Sequence, residues 1–244
     1  MNKTKNIISG IDTVILVGGL GTRLQPVLKD KSKCLAPING IPFIDILLDS
    51  CIKQGLRRFI ICIGYLKEQV IEHLSNRNDC ELVFSEEDTP LGTGGALKNA
   101  EPHIKSDPVF VMNGDSYCEI EYLKFLNYFY DTASTFSIVL SEQREASRYG
   151  NIMVDESQKI VSFSEKIISN HNKLINAGIY LLKKSILSYI PAGKPISLEH
   201  DIFPKMVRNT IGYGFPSRGV FFDIGTPESY KKRHNYFDTI LDTK

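Results

Sequence analysis

Residues 12–26 read DTVILVGGLGTRLQP, a short apolar run followed at once by three glycines within four residues. The run Asp12–Val17 predicts a buried strand, because a continuous apolar run suits a strand that is covered on both faces. The glycines let the backbone come close to a ligand, and N–H groups in such a loop can bind phosphate oxygens. Arg23 adds a cation suited to bidentate phosphate contact. For this segment alone, the alternative is a tight turn beside a surface arginine.

Apolar runs of strand length alternate with helical patterns through the first half of the chain, which predicts βαβ units and parallel strands. After about Thr135, strand-like segments follow one another, and a more antiparallel section is expected. Strands are predicted over Asp12–Val17, Phe59–Ile63, Glu81–Phe84, Pro108–Met112, Phe136–Leu140, Gly150–Val154, Ile160–Ser164, Ile175–Leu182 and Val220–Asp223. Helices are predicted over Phe43–Lys53, Leu66–Leu74, Ala96–Ala100, Ile120–Tyr130, Leu198–Val207 and Glu228–Leu241.

These patterns predict an α/β fold with a Rossmann-like, mostly parallel central sheet flanked by helices and a smaller subdomain built onto the same sheet. No linker rich in proline, glycine or serine interrupts the chain, so residues 1–244 are predicted to form a single domain. Ligands of an open parallel sheet bind outside the carboxyl ends of its strands. The residues that follow the predicted strands are therefore the candidates for function.

The composition excludes several classes of partner. Lysine and arginine number 29 against 28 acidic residues, a net charge of +1. Binding to nucleic acid or to an anionic membrane needs a basic surplus, so neither partner is expected. The five cysteines form no CxxC pair, which argues against a zinc site or a disulfide framework and favours the reducing cytoplasm. No apolar stretch reaches the ~18 residues of a membrane helix, and a signal peptide is not expected.

Two aspartates stand at the ends of predicted strands. Asp115 follows the strand Pro108–Met112, and Asp223 ends the strand Val220–Asp223. Because Mg²⁺ takes one or two protein carboxylates and completes its shell with phosphates and water, the pair predicts a magnesium site. For either aspartate alone, a turn or N-cap role is the alternative. Lys33, shortly after the glycine loop, is a candidate for a second phosphate-binding cation, with an ordinary surface lysine as the alternative.

The glycine loop and the lysine segment together resemble the sugar-1-phosphate nucleotidylyltransferases. That family has a strand, then GGxGTRLxP, then PKxLxPixxxP. In this chain the first pattern runs from Gly18 to Pro26, and the second from Ser32 to Pro42. The second pattern departs at one position, because Ser32 stands where the family has the proline before Lys33.

The resemblance implies that a sugar 1-phosphate attacks a nucleoside triphosphate with Mg²⁺ as cofactor, and that pyrophosphate leaves. It implies that Arg23, Lys33 and Asp115 are catalytic and that Asp115 and Asp223 bind Mg²⁺. The nucleotide part is expected at about 1–134 and the sugar-phosphate part at about 135–244. Nucleotide binding is expected at Gly18, Gly19, Gly21, Thr22, Glu87, Gly92, Thr93 and Gly114. Sugar-phosphate binding is expected at Gly150, Glu165, Lys166, Asn176 and Gly178.

Glu87 lies in the segment SEEDTPLGTGGAL, residues 85–97, where the resemblance places the nucleobase. An ionised carboxylate only accepts hydrogen bonds. Guanine offers two adjacent donors, N1–H and N2–H₂, whereas uracil and thymine offer one donor between two acceptors. Glu87 therefore favours GTP, and a register shift to Glu86 would not change this inference. A solvated acidic loop is the alternative.

Within the family, the chain resembles most the D-glycero-D-manno-heptose 1-phosphate guanylyltransferases, through PLGTGGAL at 90–97 and FFDIGTPESY at 221–230. This implies heptose 1-phosphate as substrate and a nucleotide sugar for cell-surface polysaccharide as product, and it leaves a homo-oligomer open. Mannose-1-phosphate guanylyltransferase and the glucose-1-phosphate uridylyl- or thymidylyltransferases are alternatives.

Two alternatives belong to other classes of protein. A non-catalytic nucleotide-binding regulatory subunit of this fold is expected to lose the lysine or an aspartate, and this chain keeps both. A nicotinamide oxidoreductase is disfavoured, because Leu24 stands where G-x-G-x-x-G requires its third glycine.

Overall fold

A nine-stranded sheet forms the framework of this computed structural model, which describes residues 7–142, 151–164 and 174–233. The strands are β1 (Asp12–Leu16), β2 (Pro37–Ile38), β3 (Ile41–Pro42), β4 (Arg58–Ile63), β5 (Glu81–Glu86), β6 (Val109–Asn113), β7 (Ser116–Cys118), β8 (Phe136–Glu142), β9 (Asn151–Val154), β10 (Ile160–Ser164), β11 (Leu174–Leu182), β12 (Gly212–Ser217) and β13 (Phe221–Asp223). The α-helices are α1 (Gln25–Leu28), α2 (Phe43–Lys53), α3 (Lys67–Leu74), α4 (Gly92–Asn99), α5 (Tyr122–Asp131), α6 (Phe203–Asn209) and α7 (Pro227–Arg233).

The first half of the sheet is parallel, in the order β5-β4-β1-β6. Val14 and Ile15 in β1 are fully buried although they point to opposite faces, as expected for a central strand of a doubly covered sheet. Because the strands are parallel, the segments after β1, β5 and β6 leave the sheet at one edge. Gly18, Glu87 and Gly114 therefore come to the same edge.

The second half of the sheet is mixed. β11 runs antiparallel to β6, β8 and β9, and β10 runs antiparallel to β9. These pairings confirm the α/β class and the antiparallel section that was expected after Thr135. The neighbouring strand β12, parallel to β8, escaped prediction because its sequence GYGFPS contains two glycines and a proline. A Cβ atom on Gly212 would lie 2.1 Å from the ring of Phe136, so close packing on β8 requires glycine there.

Most element ends lie within one or two residues of their predicted positions, and two helices differ by more. Helix α4 begins at Gly92 instead of Ala96, and the helix predicted over Leu198–Val207 consists of the π-helical turn Leu198–Ile202 followed by α6. The residues beyond 233 in the predicted final helix lie outside the described part of the chain. No helix among the described residues is long and apolar enough to span a membrane.

A separate two-stranded ladder pairs β7 with β13, with Ser116 opposite Asp223. The Ile224 N–H donates to the Asp115 carbonyl at 2.8 Å. An apolar cluster lies beneath this ladder and joins it to the glycine loop through Leu24, to the lysine segment through Ala36, and to α2 through Phe43. Three distant parts of the chain are therefore packed on one another at the functional edge of the sheet.

The opposite edge of the sheet is fixed by a buried ion pair. The Asp12 side chain is 3% exposed and accepts from Arg58 Nη1 at 2.7 Å. Its other oxygen accepts from the backbone N–H groups of Lys105 and of Ser106. Asp12 therefore ties the start of β1 to β4 and to the loop before β6.

We expect Asp12→Ala to lower the free energy of unfolding by about 3–5 kcal/mol, because it leaves the Arg58 charge in a largely buried place without its partner. Glu81→Ala removes the other carboxylate on Arg58, which is 55% exposed, and should cost no more than about 1 kcal/mol. Equilibrium unfolding in urea measures both values. Equal losses in the two variants would contradict this account of the edge.

Candidate active site

Two adjoining cavities open at the edge where β1, β5 and β6 end. The first, of about 420 Å³, lies between the glycine loop and the start of α4. The second, of about 300 Å³, lies beside the β7–β13 ladder. Asn113 and Asp115 line both cavities, so the two cavities meet at these residues.

The described candidate residues predicted from the sequence come together around these two cavities. The first cavity is lined by Gly18, Gly19, Gly21, Thr22, Lys33, Glu87, Gly92, Thr93, Gly114 and Asp115. The second cavity is lined by Arg23, Asp115, Asn176, Gly178 and Asp223. Gly150, Glu165 and Lys166 lie outside the described residues, so their predicted roles stay predictions.

Lys33 is held against the glycine loop and points to the junction of the cavities. Gly21 has a φ of +59°, and a Cβ atom there would lie 3.2 Å from Cβ of Lys33. Lys33 Nζ donates to Asp115 Oδ2 at 2.5 Å, with the lysine side chain 15% and the aspartate side chain 42% exposed. This ion pair puts a positive charge and a partly exposed carboxylate at the point where the cavities meet.

Asp223 is oriented by the turn that follows β13. Its Oδ1 accepts from the Gly225 N–H at 2.7 Å and from the Ser229 hydroxyl at 2.9 Å. Asp223 therefore stabilises a turn, as the alternative interpretation from the sequence proposed, and it also lines the second cavity.

The donor set fits a divalent cation that also binds substrate oxygens. Asp115 and Asp223 line the same cavity, whereas no group of three or more His, Cys, Asp or Glu side chains in the described ranges could hold a metal ion by itself. A hard cation with one or two protein carboxylates completes its coordination with phosphate oxygens and water. Two carboxylates beside open space provide that arrangement.

Asn113 lies at the junction of the cavities and was missed by the sequence analysis. Its Oδ1 atom is buried and accepts no hydrogen bond from the described residues. A buried acceptor without a donor costs about 1–3 kcal/mol. The position directly before Gly114 and Asp115, at the end of β6, was the signal that could have identified it.

A chain of hydrogen bonds connects the two cavities behind their walls. Asn176 Nδ2 donates to the Tyr180 hydroxyl at 2.8 Å, and that hydroxyl donates to Glu199 Oε1 at 3.1 Å. Glu199 Oε2 accepts from the hydroxyls of Thr93 at 2.6 Å and Ser197 at 2.9 Å. Burial, followed by the Glu199 charge, raises the pKa of Tyr180 well above its usual value, so this hydroxyl keeps its proton.

Tyr180 and Glu199 also belong to the site but were not among the residues predicted from the sequence. Asn176, Gly178 and Tyr180 are alternate residues of β11, and alternate residues of a regular strand share a face. That spacing was the available signal for Tyr180. No comparable signal marks Glu199, which reaches the network through the π-helical turn Leu198–Ile202.

The glycines at the start of α4 serve the packing of the protein as well as the cavity. Gly92 and Thr93 line the first cavity. The N–H groups of Gly94 and Gly95 instead donate to the Ile196 carbonyl at 2.8 and 3.2 Å. These two amides are already bonded, and only the beginning of the glycine run faces the cavity.

Glu87 is half-buried between the walls of the first cavity. A Cβ atom on Gly18 would lie 2.5 Å from Glu87 Oε1, so the carboxylate packs directly on this glycine. Glu87 Oε2 accepts a hydrogen bond from the Leu91 N–H at 3.4 Å. Burial raises the pKa of Glu87 above its usual 4.5. Glu86, by contrast, is exposed and pairs with Lys67 at 2.9 Å. Of the two neighbouring acids, Glu87 is the one that lines the cavity.

Comparison with known proteins gives consistent matches along the chain. A family model described as Nucleotidyl transferase matches residues 12–239. D-glycero-alpha-D-manno-heptose 1-phosphate guanylyltransferase of Campylobacter jejuni is 34% identical over 222 residues, covering 90% of this chain and 97% of that protein. Mannose-1-phosphate guanylyltransferase catalytic subunit beta of Drosophila melanogaster is 33% identical over 227 residues, and the match covers 91% of this chain but 61% of that protein.

Solved structures agree in fold. HddC from Yersinia pseudotuberculosis is 37% identical to this chain, and the match covers 93% of this chain and 99% of that one, with a TM-score of 0.83. A second structure of HddC, complexed with GMP-PN, has a TM-score of 0.82.

We expect Tyr180→Phe to lower the free energy of unfolding by about 1–3 kcal/mol, because Glu199 loses a donor and Asn176 an acceptor. Tyr189→Phe, at a side chain that is 46% exposed, should change it by no more than about 0.5 kcal/mol. Thr93→Val removes another donor to Glu199. The loss of unfolding free energy in the double variant Tyr180→Phe/Thr93→Val should therefore differ from the sum of the losses in the two single variants. Strict additivity in urea unfolding would show that the bonds are independent of one another.

Proposed function

The chain belongs to the nucleotidyl transferase family, and from that premise we propose that it transfers the guanylyl group of GTP to D-glycero-D-manno-heptose 1-phosphate. The products are the GDP-sugar and pyrophosphate. The observation that carries the proposal is the Lys33–Asp115 pair at the junction of two cavities, with Asp223 in the wall of the second. A triphosphate in the first cavity and a sugar phosphate in the second would meet at this pair.

The reaction needs positioning more than acid–base chemistry. An oxygen of the sugar 1-phosphate forms a bond to the α-phosphorus in line, and the bond from that phosphorus to the β-phosphate oxygen breaks with its electron pair on pyrophosphate. The attacking phosphate is already anionic at neutral pH, so no general base has to remove a proton. The contribution of the protein is therefore alignment and neutralisation of charge.

The described side chains divide between these tasks. Lys33 from the first cavity and Arg23 from the wall of the second bind the triphosphate where the two cavities meet, and they stabilise the charge that develops on the leaving pyrophosphate. Asn176 and Gly178 face the sugar from β11. Gly150, Glu165 and Lys166 complete the sugar-phosphate site in this proposal, with Lys166 on the phosphate.

Asp115 and Asp223 hold Mg²⁺ in this proposal. The ion would supply positive charge that neutralises the reacting phosphates. The Gly225 N–H and the Ser229 hydroxyl fix the carboxylate of Asp223, and Lys33 fixes that of Asp115.

Glu87 selects guanine by accepting from N1–H and N2–H₂. Its half-buried place in the first cavity strengthens such bonds, because water competes less for them there. The names of the relatives support this choice of base, since both the Campylobacter and the Drosophila proteins are guanylyltransferases. The GMP-PN complex of HddC supports it as well.

Heptose 1-phosphate is preferred over mannose 1-phosphate in this proposal. The heptose relative matches over nearly its whole length, whereas this chain spans 61% of the Drosophila mannose relative. Turnover of GTP with each sugar phosphate, followed by pyrophosphate release, decides between the two. A higher kcat/KM for mannose 1-phosphate would overturn the sugar assignment and leave the guanylyl transfer standing.

We further propose that residues 1–244 act as one domain, with the nucleotide bound mainly by about 1–134 and the sugar phosphate mainly by about 135–244. The five free thiols, most of them buried, suit a reducing compartment. This supports a cytoplasmic location.

Asp115→Asn should lower kcat for pyrophosphate release by about 10²–10³-fold, because it removes a preorganised charge at the reacting phosphates. Its fold should be kept, since the side chain is 42% exposed. Asp131→Asn, at the exposed end of α5, is the matched control and should retain full activity. An Asp115→Asn enzyme with wild-type kcat and wild-type magnesium requirement would refute the metal assignment.

Glu87→Gln should lower kcat/KM for GTP by about 10- to 100-fold, because the amide presents a donor to a guanine donor and loses a charge-assisted bond. It should improve use of UTP relative to GTP. Glu86→Gln, at the exposed neighbour, should leave the preference unchanged. Competition between the two nucleotides in one assay measures the preference, and an unchanged ratio in Glu87→Gln would refute base reading by this residue.

The raised pKa of Glu87 adds a dependence on pH. The carboxylate accepts from guanine only when ionised, and burial favours its protonated form. Affinity for GTP should therefore fall with decreasing pH, beginning above the usual glutamate pKa of 4.5. Glu87→Gln has no proton to gain and should lack this step. Because the triphosphate titrates identically in both proteins, the difference between their binding curves isolates Glu87.

A further inference from the structure

Gln69, outside both cavities, holds the segment that leads into Lys33. Its Oε1 accepts from the Ser32 N–H at 2.9 Å, and its Nε2 donates to the Asp30 carbonyl at 2.7 Å. One side chain on α3 therefore bonds two backbone groups of the lysine segment. Helix α3 is a firm anchor, because Val70 and Leu74 fix it in the core at 1% exposure.

Ser32 stands where the signature PKxLxP has proline. Its φ is −58° and its ψ is 137°, and a proline ring locks φ near −65°. The backbone of this chain thus keeps a conformation that proline would impose, although serine does not impose it. Ser32 is 3% exposed, so its N–H group needs a partner within the protein, and Gln69 is that partner.

The conformation at Ser32 matters because Lys33 is the next residue. Lys33 begins a 3₁₀ turn, packs on Gly21 and places its Nζ 2.5 Å from Asp115 Oδ2. A displacement of about 1 Å in a group that aligns reactants can cost about 10²-fold in rate. A change in the backbone at Ser32 would be carried directly to the Nζ atom.

We propose that Gln69 is a positioning residue for Lys33 and that its two hydrogen bonds replace the constraint of the missing proline. This inference rests on the proposed function of Lys33. It assigns Gln69 no contact with substrate. It also predicts that Gln69 and a proline at position 32 cannot both be accommodated, because Gln69 Oε1 lies where the Ser32 N–H points and where the Cδ atom of a proline would stand.

The test is a cycle of Gln69→Ala, Ser32→Pro and the double variant, assayed by pyrophosphate release. Gln69→Ala should lower kcat by about 10- to 100-fold through misplacement of Lys33. It should lower kcat/KM for GTP by a similar factor, as expected for loss of an interaction made in the transition state. Ser32→Pro alone should also lose activity, because its ring meets Gln69 Oε1 and removes the donor. The double variant should return to within about threefold of wild type, because the ring restores φ and the obstructing side chain is gone.

Glu72→Ala is the matched control on α3, since this side chain is exposed on the same helix and should leave kcat unchanged. Wild-type kcat in Gln69→Ala would overturn the proposal. A double variant as slow as Gln69→Ala would overturn it too, because the constraint on φ would then not be the function of Gln69. If Gln69→Ala does not fold, Gln69→Glu keeps an acceptor for the Ser32 N–H but sets a carboxylate oxygen against the Asp30 carbonyl, so kcat should still fall. Wild-type kcat in Gln69→Glu would overturn the proposal.

A second measurement does not depend on turnover. The Leu35 N–H donates to the Ser32 carbonyl and the Ala36 N–H to the Lys33 carbonyl. Hydrogen exchange at these two amides should accelerate in Gln69→Ala and slow again in the double variant, and unchanged exchange would overturn the proposal. A wild-type chain without turnover would refute the proposed function of the protein, while the exchange pattern would still decide whether Gln69 holds this segment.

Discussion

The pairing of β7 with β13 is the contact on which the site depends. It sets Ser116 opposite Asp223 and bonds Ile224 to the Asp115 carbonyl, so two carboxylates from distant parts of the chain line one cavity. The apolar cluster beneath the ladder packs it against the glycine loop and the lysine segment. Without this ladder, the first half of the sheet would still present its glycine loop and Lys33, but the second cavity would lose the wall that holds Asp223.

The second constraint lies behind the walls and joins the two cavities. The Glu199 carboxylate accepts from Thr93 at the first cavity and from Tyr180, which in turn bonds Asn176 at the second. A partly buried hydrogen-bond network of this kind restricts the orientations of its members. The polar groups facing the two substrates are therefore held in one frame, which suits a reaction in which two phosphates must align.

The features that could be predicted from the sequence were those marked by a short, continuous pattern of residues. The glycine loop, the helix Phe43–Lys53 and the strand-end aspartates all follow from short patterns with a direct physical meaning. The strand β13 was predicted to within one residue, as Val220–Asp223, but its partner β7 was not, because a strand of three residues without a marked apolar run has no periodicity to detect. The pairing of the two strands was therefore not predicted either. Tyr180 was not predicted for a different reason: although it alternates with Asn176 and Gly178, a tyrosine in an apolar strand is typical of the core, and its polar role depends on Glu199, which no sequence pattern marks.

The site combines basic and acidic side chains, and the sum of their charges bears on how a nucleotide could bind there. Among the described residues that line the two cavities, Arg23 and Lys33 face three carboxylates, those of Glu87, Asp115 and Asp223. These side chains alone cannot neutralise a triphosphate, since their sum is already negative when all are ionised. In the proposed function, a divalent cation held by Asp115 and Asp223 would offset the charge of these two carboxylates, while Glu87 would keep its negative charge for the donors of the base. The near-neutral chain, at +1, thus contains a cleft whose described side chains carry a net negative charge, and in the proposed function a divalent cation would make that charge favourable to a nucleotide.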